Sequence, residues 1–313
     1  MALPALPRLP SRVTVVDVGP RDGLQNEAAA VSTADKIAFV DRLSAAGLPV
    51  IEVTAFVSPR WVPQMADAAE VLRGITRRPG TRYTALAPNV KGLARALDAS
   101  VDEVAIFGAA SETFSRRNIN QSIDESLVTH AEVCREAARA GIRVRGYLST
   151  CFGCPFEGPV SAPRVADLAA RLLDLGVYEV ALSDTIGIAH PALVSEVLEQ
   201  VARVVPIGQL ALHMHDTRGT ALANVLTGLQ LGVTTIDASA GGLGGCPFAP
   251  GAAGNLATED LLYMLQGLGV DTGVSLAAVV EASAGIEGAV GHALPSRYYR
   301  AHRAAAVRPA GPT

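Results

Sequence analysis

The sequence predicts an α/β fold, a (β/α)8 TIM barrel with a C-terminal helical extension over the barrel mouth. Eight short runs rich in Val, Ile and Leu alternate with longer segments of helical periodicity, which is typical of a parallel sheet covered by helices. Each strand and helix unit spans about 20 to 40 residues, close to the repeat of such a barrel. The first strand-to-helix turn reads GPRDGLQNE, so it lacks the G-x-G-x-x-G fingerprint of the alternative, an open doubly wound sheet.

The strands are assigned to the apolar runs because Val and Ile favour extended backbone. In chain order the runs are 13–18, 49–54, 82–87, 102–107, 142–148, 177–182, 209–214 and 233–238. Helical spacing of apolar residues predicts helices at 33–46, 123–140, 162–175, 191–204 and 220–231. Ser32 or Thr33, and Ser161, are candidate N-cap residues for two of these helices.

No linker divides the chain, so we expect residues 1–313 to form a single catalytic domain. The barrel is expected over about 13–255, and the helical segment, which opens with TEDLLYMLQGLG, over about 256–313. The Ala/Arg/Pro-rich end from about Arg297 is expected to fray.

Charge and hydropathy exclude several classes of protein. The formal net charge is -4 and the Lys and Arg residues are scattered, so no nucleic-acid partner is expected. No apolar run is long enough to span a bilayer, and three prolines interrupt the start MALPALPRLPSR, so neither a membrane anchor nor a signal peptide is expected. We therefore expect a cytoplasmic protein with a small-molecule substrate. Its four cysteines are too few for a disulfide framework and are expected to be free thiols: Cys134, Cys151, Cys154 and Cys246.

Polar residues gather at the carboxyl ends of the predicted strands, where a TIM barrel builds its active site. They follow strands one and six, stand in strand two and at the end of strand seven, and lie in the loop GGLGGCPFAPGAAGN after strand eight. These residues are Arg21, Asp22, Gln25, Glu52, Thr54, Ser183, Asp184, His213, His215, Asp216, Cys246 and Asn255.

His213 and His215 are two residues apart on a strand, so both imidazoles can face the barrel axis, about 6 to 7 Å apart. With Asp22 and Asn255 they form a mixed nitrogen and oxygen set that suits Mg²⁺, Mn²⁺ or a similar divalent ion. Alone, the two histidines fit ordinary core or surface positions about as well as they fit a metal site. The complementary donors at two other strand ends favour the metal.

Arg21 and Asp22, taken alone, fit a solvated ion pair. Glu52 argues against that interpretation, because VIEVTAF places a carboxylate in an apolar strand, where a charge needs a partner. We expect Arg21 to be that partner, across the barrel mouth.

The cysteines leave alternatives open. Cys246 stands among glycines, and the sequence fits an inert thiol and a proton donor on a movable flap about equally. Cys151 and Cys154 in CFGCPF resemble a redox or zinc motif, but no second CxxC or nearby His completes a metal set.

Longer motifs identify a family. They are VGPRDGLQNE, FVSPRWVPQMADAAEVL, NVKGLARAL, IFGAASETFSRRNIN, GCPFEG, SDTIG, HMHDTRGTALAN and GGLGGCPFAPGAAGNLATEDLLYML. Together they resemble 3-hydroxy-3-methylglutaryl-CoA lyases over about residues 13–273. The resemblance implies a barrel with an appended lid region that splits its acyl-CoA substrate into acetyl-CoA and acetoacetate with a divalent cation, Mg²⁺ or Mn²⁺, as in leucine catabolism and ketone-body chemistry.

The resemblance also implies roles for the site residues. The metal ligands would be Asp22, His213, His215 and Asn255; the catalytic or substrate-facing residues would be Arg21, Glu52, Asp184, His213 and Cys246, with Gln25 beside them. In the retro-Claisen step Arg21 would hold the thioester oxygen and Cys246 would protonate the acetyl carbon. Asp184 or His213 would take the hydroxyl proton, and the sequence does not choose between them. Asn118, with Arg116 and Arg117, is expected near the CoA diphosphate, and a homodimer or higher homo-oligomer is expected.

The chain departs from the animal-type pattern at three places. Ala28 stands where lysine is often found, Ala55 replaces a small hydroxyl residue, and no cysteine follows Cys246. The first two leave the acyl specificity open, so a lyase for a related 3-hydroxy-3-alkylglutaryl-CoA is an alternative, and the third removes a C-terminal thiol switch.

Two other functions are weighed against the lyase. The Claisen-condensing isopropylmalate, homocitrate and citramalate synthases share the barrel and the two histidines, but they usually carry an acidic residue where Leu24 stands and a longer C-terminal region. A catalytically silent barrel would be expected to lack a ligand, and every expected one is present.

Overall fold

Eight parallel strands close into a barrel in the computed structural model, which describes residues 9–245 and 254–307. The strands are β1 Thr14–Asp17, β2 Val50–Ala55, β3 Arg82–Leu86, β4 Glu103–Ala109, β5 Arg143–Ser149, β6 Val180–Asp184, β7 Leu210–Met214 and β8 Thr235–Ala238. Each pairs in parallel with the next, and β8 pairs with β1. The predicted TIM barrel is confirmed, and each strand overlaps its predicted run.

Helices cover the outside of the barrel. They are α1 Thr33–Ala45, α2 Ala68–Gly74, α3 Val90–Asp98, α4 Glu112–Ile119, α5 Ile123–Arg139, α6 Ala162–Asp174, α7 Pro191–Val201, α8 Ala221–Gln230, α9 Thr258–Gly267, α10 Leu276–Val290 and α11 Arg297–Val307. The five predicted helices are confirmed as α1, α5, α6, α7 and α8, whereas the pattern missed α2, α3 and α4. Among the described residues, no helix is long and apolar enough to cross a membrane.

The two candidate caps have different outcomes. The Ser32 hydroxyl accepts the Asp35 N–H at 3.1 Å and caps α1 as predicted. Ser161 is the N-cap residue of α6, but its side chain makes no capping bond. Its backbone carbonyl accepts the Arg164 N–H instead, at 3.0 Å, and Pro163 has no N–H to offer.

The C-terminal helices complete the wall of the barrel. Helix α10 packs on α1 and α9, and α9 packs on α8, so the helical layer continues past residue 255. The chain after α10 runs along the rim of the mouth, where Ser296 N–H donates to the Gly241 carbonyl and Arg297 pairs with Asp216. The division of the chain at about residue 255 remains a prediction.

Charged and polar side chains of the strands are buried at both ends of the barrel. At the amino ends of the strands, the Glu103 carboxylate accepts from Arg143 at 2.7 Å and from the Tyr178 hydroxyl at 2.7 Å. The apolar core lies outside the strands, between the sheet and the helices. This arrangement leaves the carboxyl ends of the strands free to carry a site.

Candidate metal centre and substrate cavity

A cavity of about 790 Å³ is lined by residues at the carboxyl ends of the strands. Its walls include the turn after β1, the loop after β2, helix α4 and the end of β7. Trp61, Phe107 and Phe114 supply apolar surface, and Trp61 is 85% exposed. The volume and the mixture of apolar and polar walls suit an extended small molecule.

The turn after β1 places Arg21 and Asp22 at the cavity. Residues Gly19–Gly23 form a π-helical turn in which the Gly23 N–H donates to the Val18 carbonyl at 3.2 Å. A Cβ at Gly23 would lie 2.8 Å from the Leu243 Cβ, so this position requires glycine. The glycine thus lets the turn pack under the loop after β8.

Arg21 joins two carboxylates inside the barrel mouth. Its Nε donates to Glu52 Oε2 at 2.7 Å, and its Nη1 donates to Asp22 Oδ1 at 2.6 Å. Glu52 is fully buried and Arg21 is 7% exposed, so the interpretation of Arg21 and Asp22 as a solvated pair is wrong. Burial works against the Arg21 charge, but Glu52 and Asp22 raise its pKa, so the guanidinium stays charged.

Asp22, His213 and His215 converge as a candidate metal set. One donor atom from each lies within 4.8 Å of the others. The two Nε2 atoms are 3.4 Å apart, and His213 Nε2 lies 3.9 Å from Asp22 Oδ2. Both imidazoles therefore face the same side of β7, as their spacing predicts.

Asn255 and Gln25 lie next to this set. Asn255 Nδ2 donates to Asp22 Oδ2 at 2.8 Å and to the Leu243 carbonyl at 3.1 Å. Gln25 lines the cavity, and its buried Oε1 has no hydrogen-bond partner among the described residues. An unpaired buried acceptor at the edge of a cavity is suited to a ligand or a bound ion.

The protonation states suit a divalent cation. Burial lowers the pKa of His215 to about 4, so this imidazole is neutral at physiological pH and can donate a lone pair to a metal. Burial opposes ionisation of Asp22, but Arg21 and the two histidines outweigh it and lower the pKa of this carboxyl. His215 and Asp22 are therefore in the protonation states that a metal ligand requires.

The charges buried around the set are unbalanced. Two guanidinium groups face four carboxylates, those of Asp22, Glu52, Glu179 and Asp237. Burial raises the pKa of Glu52, so this carboxyl group is not a full negative charge in the balance. The nitrogen and oxygen donors of Asp22, His213 and His215 are of the types that fit a divalent ion.

Asp184 lies in a different environment from the rest of the candidates. Its two oxygens accept the backbone N–H groups of Ile188 and Ala189, each at 3.0 Å, and its neighbours Ser183 and Thr185 line the cavity while Asp184 does not. Burial raises its pKa to about 6, and the backbone donors offset part of that effect. The structure therefore does not bring Asp184 to the metal set.

The residues predicted to meet CoA separate into two groups. Asn118 and Arg117 line the cavity, and the Arg117 guanidinium lies 4.2 Å from the centre of the Phe156 ring. Arg116 pairs with Glu112 at 3.1 Å on the exposed side of α4 and is not a lining residue. Cys246 lies outside the described residues.

Comparison with known proteins identifies the family of the chain. A family model described as HMGL-like matches residues 12–286. The chain belongs to the HMGL-like family. It is 56% identical over 275 residues to the mitochondrial hydroxymethylglutaryl-CoA lyase of Bos taurus, and the match covers 88% of this chain and 85% of that protein.

Solved structures agree with this membership in the HMGL-like family. The hydroxymethylglutaryl-CoA lyase from Pseudomonas aeruginosa has a TM-score of 0.93 and 52% identity, covering 95% of this chain and 99% of that one. An HMG-CoA lyase from Acinetobacter baumannii, solved in complex with coenzyme A and 3-methylmalate, has a TM-score of 0.90 and 38% identity, covering 96% and 98%.

In this HMGL-like chain, sequence reasoning missed three residues close to the metal set. Tyr147 lines the cavity, and its hydroxyl donates to Glu52 Oε2 at 3.3 Å. Asp237 Oδ2 lies 3.2 Å from His213 Nδ1, and Arg145 binds both Asp237 oxygens. Arg145 and Asp237 are charged residues in apolar strands, so the rule that singled out Glu52 could have found them.

Proposed function

We propose that this HMGL-like protein cleaves 3-hydroxy-3-methylglutaryl-CoA to acetyl-CoA and acetoacetate. The observation that carries the proposal is the ligand set Asp22, His213 and His215 in the same cavity as Arg21. The identity with a hydroxymethylglutaryl-CoA lyase over most of the chain supports the substrate. The coenzyme A bound in a solved relative supports an acyl-CoA as the ligand of the cavity.

Asp22, His213 and His215, with Asn255 beside them, would hold the cation. Because the donors are nitrogen and oxygen rather than thiolate, we propose Mg²⁺ or Mn²⁺. When bound, such an ion acidifies the substrate's C3 hydroxyl as a Lewis acid and fixes its orientation.

Arg21 is proposed to hold the thioester oxygen as that atom takes on negative charge. Glu52 and Asp22 each occupy one N–H of the guanidinium, which fixes its plane and leaves other N–H groups for a ligand. Donors held in place before the reaction stabilise a developing oxyanion without reorganisation at that moment. Glu52 is thus a positioning residue in this proposal.

The remaining substrate contacts are assigned by position. Gln25, with its unpaired oxygen, is proposed to contact the acyl group, and Asn118 with Arg117 to contact the CoA moiety. Cys246 is proposed as the donor that protonates the acetyl carbon, a role that rests on the family resemblance.

The base that takes the hydroxyl proton is constrained by the geometry of both candidates. His213 would need the single lone pair of Nε2 both to bind a metal and to accept a proton. It can do only one of these at a time. Asp184 has both oxygens engaged by backbone amides. We therefore place His213 among the ligands, and the base stays a prediction between these two residues.

The proposal is tested with purified full-length protein and hydroxymethylglutaryl-CoA. We expect acetoacetate release that stops with chelator and returns with Mg²⁺ or Mn²⁺. A matched reaction with acetyl-CoA and a 2-oxo acid tests the synthase alternative. Free CoA formed there, without any cleavage in the first reaction, would replace the lyase by a condensing enzyme.

The proposal also covers the cellular location and the oligomeric state of the protein. Relatives are named both mitochondrial and cytoplasmic, and we propose a cytoplasmic location for this chain. We also propose a homodimer or higher homo-oligomer, which size-exclusion chromatography with light scattering would check.

A further inference from the structure

The His213 ring has a different environment from that of His215. Its Nδ1 lies 3.2 Å from Asp237 Oδ2, while its Nε2 faces His215 and Asp22. The buried Nδ1 of His215 has no hydrogen-bond partner among the described residues. Within residues 9–245 and 254–307, Asp237 therefore contacts the His213 ring nitrogen that points away from the metal set, whereas the corresponding nitrogen of His215 has no hydrogen-bond partner.

Strand register brings Asp237 to His213. In the pairing of β7 with β8 the two residues are direct partners, and Asp237 is 1% exposed. A fully buried carboxylate needs strong partners to remain charged. Its second partner comes from the other side of the barrel interior.

Arg145 binds Asp237 with both ends of its guanidinium. Nη1 donates to Oδ2 at 3.0 Å and Nη2 donates to Oδ1 at 2.8 Å, a two-bond arrangement that fixes the carboxylate plane. Arg145 Nε donates in turn to Glu179 at 2.7 Å, so the guanidinium is itself held on two sides. Neither Arg145 nor Glu179 lines the cavity.

We infer that Asp237, locked by Arg145, is a positioning residue that keeps the His213 ring proton on Nδ1 and turns the Nε2 lone pair toward the metal site. An ionised carboxylate can only accept, so the nitrogen facing it must be the donor. A neutral imidazole with its proton on Nδ1 has an unprotonated Nε2, the form that a metal requires. The inference rests on the proposed metal site.

The test combines a spectroscopic signature with metal affinity. In metal-free, full-length protein at pH 8, NMR of labelled histidines should find the His213 proton on Nδ1. In Asp237→Asn the amide can donate to Nδ1 and move the proton to Nε2. The affinity for Mn²⁺, measured by equilibrium dialysis, should then fall by about 10- to 100-fold.

A matched variant separates this effect from general damage to the barrel. Glu103 is also a buried carboxylate bound to an arginine, but at the opposite ends of the strands, so Glu103→Gln should keep wild-type Mn²⁺ affinity and His213 tautomer. Equal Mn²⁺ affinity in Asp237→Asn and wild type would overturn the inference. A His213 proton on Nε2 in the wild type would overturn it as well, even if Asp237→Asn failed to fold. Absence of Mn²⁺ binding by the wild type would instead contradict the proposed metal site, and the tautomer would still decide the role of Asp237.

Discussion

Arg21 binds its two carboxylates through separate nitrogen atoms, and this arrangement requires arginine. Nε reaches Glu52 while Nη1 reaches Asp22, whereas the single ammonium of lysine cannot reproduce the planar fork. We expect Arg21→Lys to lower kcat by about 10²- to 10³-fold, since an oriented oxyanion donor is lost. Arg143→Lys is the control, because Arg143 also pairs with a buried carboxylate but is half exposed and far from the cavity. Turnover of Arg21→Lys within threefold of wild type would remove Arg21 from the chemistry.

Replacing Cys246 should impair the enzyme in a different way from replacing a metal ligand. If it protonates the acetyl carbon, Cys246→Ala removes an interaction made mainly in the transition state, so kcat should fall by about 10²- to 10⁴-fold with little change in KM. Metal content should stay normal, and bound substrate should protect the wild type from thiol alkylation. Near-normal turnover of Cys246→Ala would return this residue to the interpretation of an inert thiol.

Charged residues in apolar strands were the most informative residues of the sequence. Glu52 predicted a buried partner, and Arg21 is confirmed as that partner. Arg145 and Asp237 carry the same signal, but they are 92 residues apart and meet only because the barrel closes. Sequence periodicity predicts the face of a strand on which a side chain lies. It does not predict which side chain of another strand will lie opposite once the barrel has closed. Sequence reasoning therefore found the convergence of Asp22, His213 and His215 but not the group behind His213.

At the level of elements, the N-cap residues Ser32 and Ser161 allow a matched comparison of two helices. Both are exposed N-cap residues, but only Ser32 accepts a backbone N–H. We expect Ser32→Ala to lower the free energy of unfolding by about 1 kcal/mol, because an orphan donor of α1 loses its acceptor. Ser161→Ala should change it by no more than a few tenths of a kcal/mol, since no capping bond is lost. Urea denaturation of both variants checks the difference, and equal losses would contradict the assignment of the caps.

Sequence analysis found the elements whose burial leaves a clear apolar signal. Most residues of the eight strands are buried on both faces, and their many Val, Ile, Leu and Ala residues explain why each strand was found. Helices α2, α3 and α4 are seven, nine and eight residues long, too short to establish a period. Helix α4 is also mostly polar and buries only Phe114 and Ser115. Its role in lining the cavity could not be predicted from an apolar stripe.

Two buried acids, Asp17 and Glu259, link the first and last strands of the barrel to the C-terminal helices. Asp17, at the end of β1, accepts from the Ala240 N–H after β8 at 3.1 Å and from the Thr258 hydroxyl of α9 at 2.8 Å. Glu259 accepts from the Gly241 N–H and from Ser283 of α10. These two side chains therefore connect the seam between the first and last strands to the C-terminal helices.

Burial of these acids predicts how the stability of the molecule depends on pH. Burial raises the pKa of Asp17 to about 7 and that of Glu259 to about 7, with hydrogen bonds offsetting part of the effect. Above about pH 4 the folded state therefore holds protons that the unfolded chain has released. The stabilising contribution of the two carboxyl groups is complete below that pH and is lost as the pH rises through 7. Between about pH 6.5 and 8 the two groups together should lower the free energy of unfolding by on the order of 1 kcal/mol. His215 and His130, whose pKa burial lowers to about 4, act in the opposite direction and offset part of this loss, because an ordinary histidine of the unfolded chain, with a pKa of about 6.5, is still half protonated at the start of this window.

Urea denaturation in chelator, at pH values across this window, measures that dependence without the contribution of bound metal. Glu259→Gln removes one of the two groups and keeps an acceptor for the Ser283 hydroxyl, so the fall in stability with rising pH should become shallower. Glu281→Gln, an exposed change on α10, should leave the slope as in the wild type. Because Asp17 contributes to the raised pKa of Glu259, the two acids titrate as a coupled pair, and Asp17→Asn should shift the remaining step to lower pH. A wild-type stability that rises between pH 6.5 and 8 would mean that these carboxyl groups are ionised in the folded barrel despite their burial.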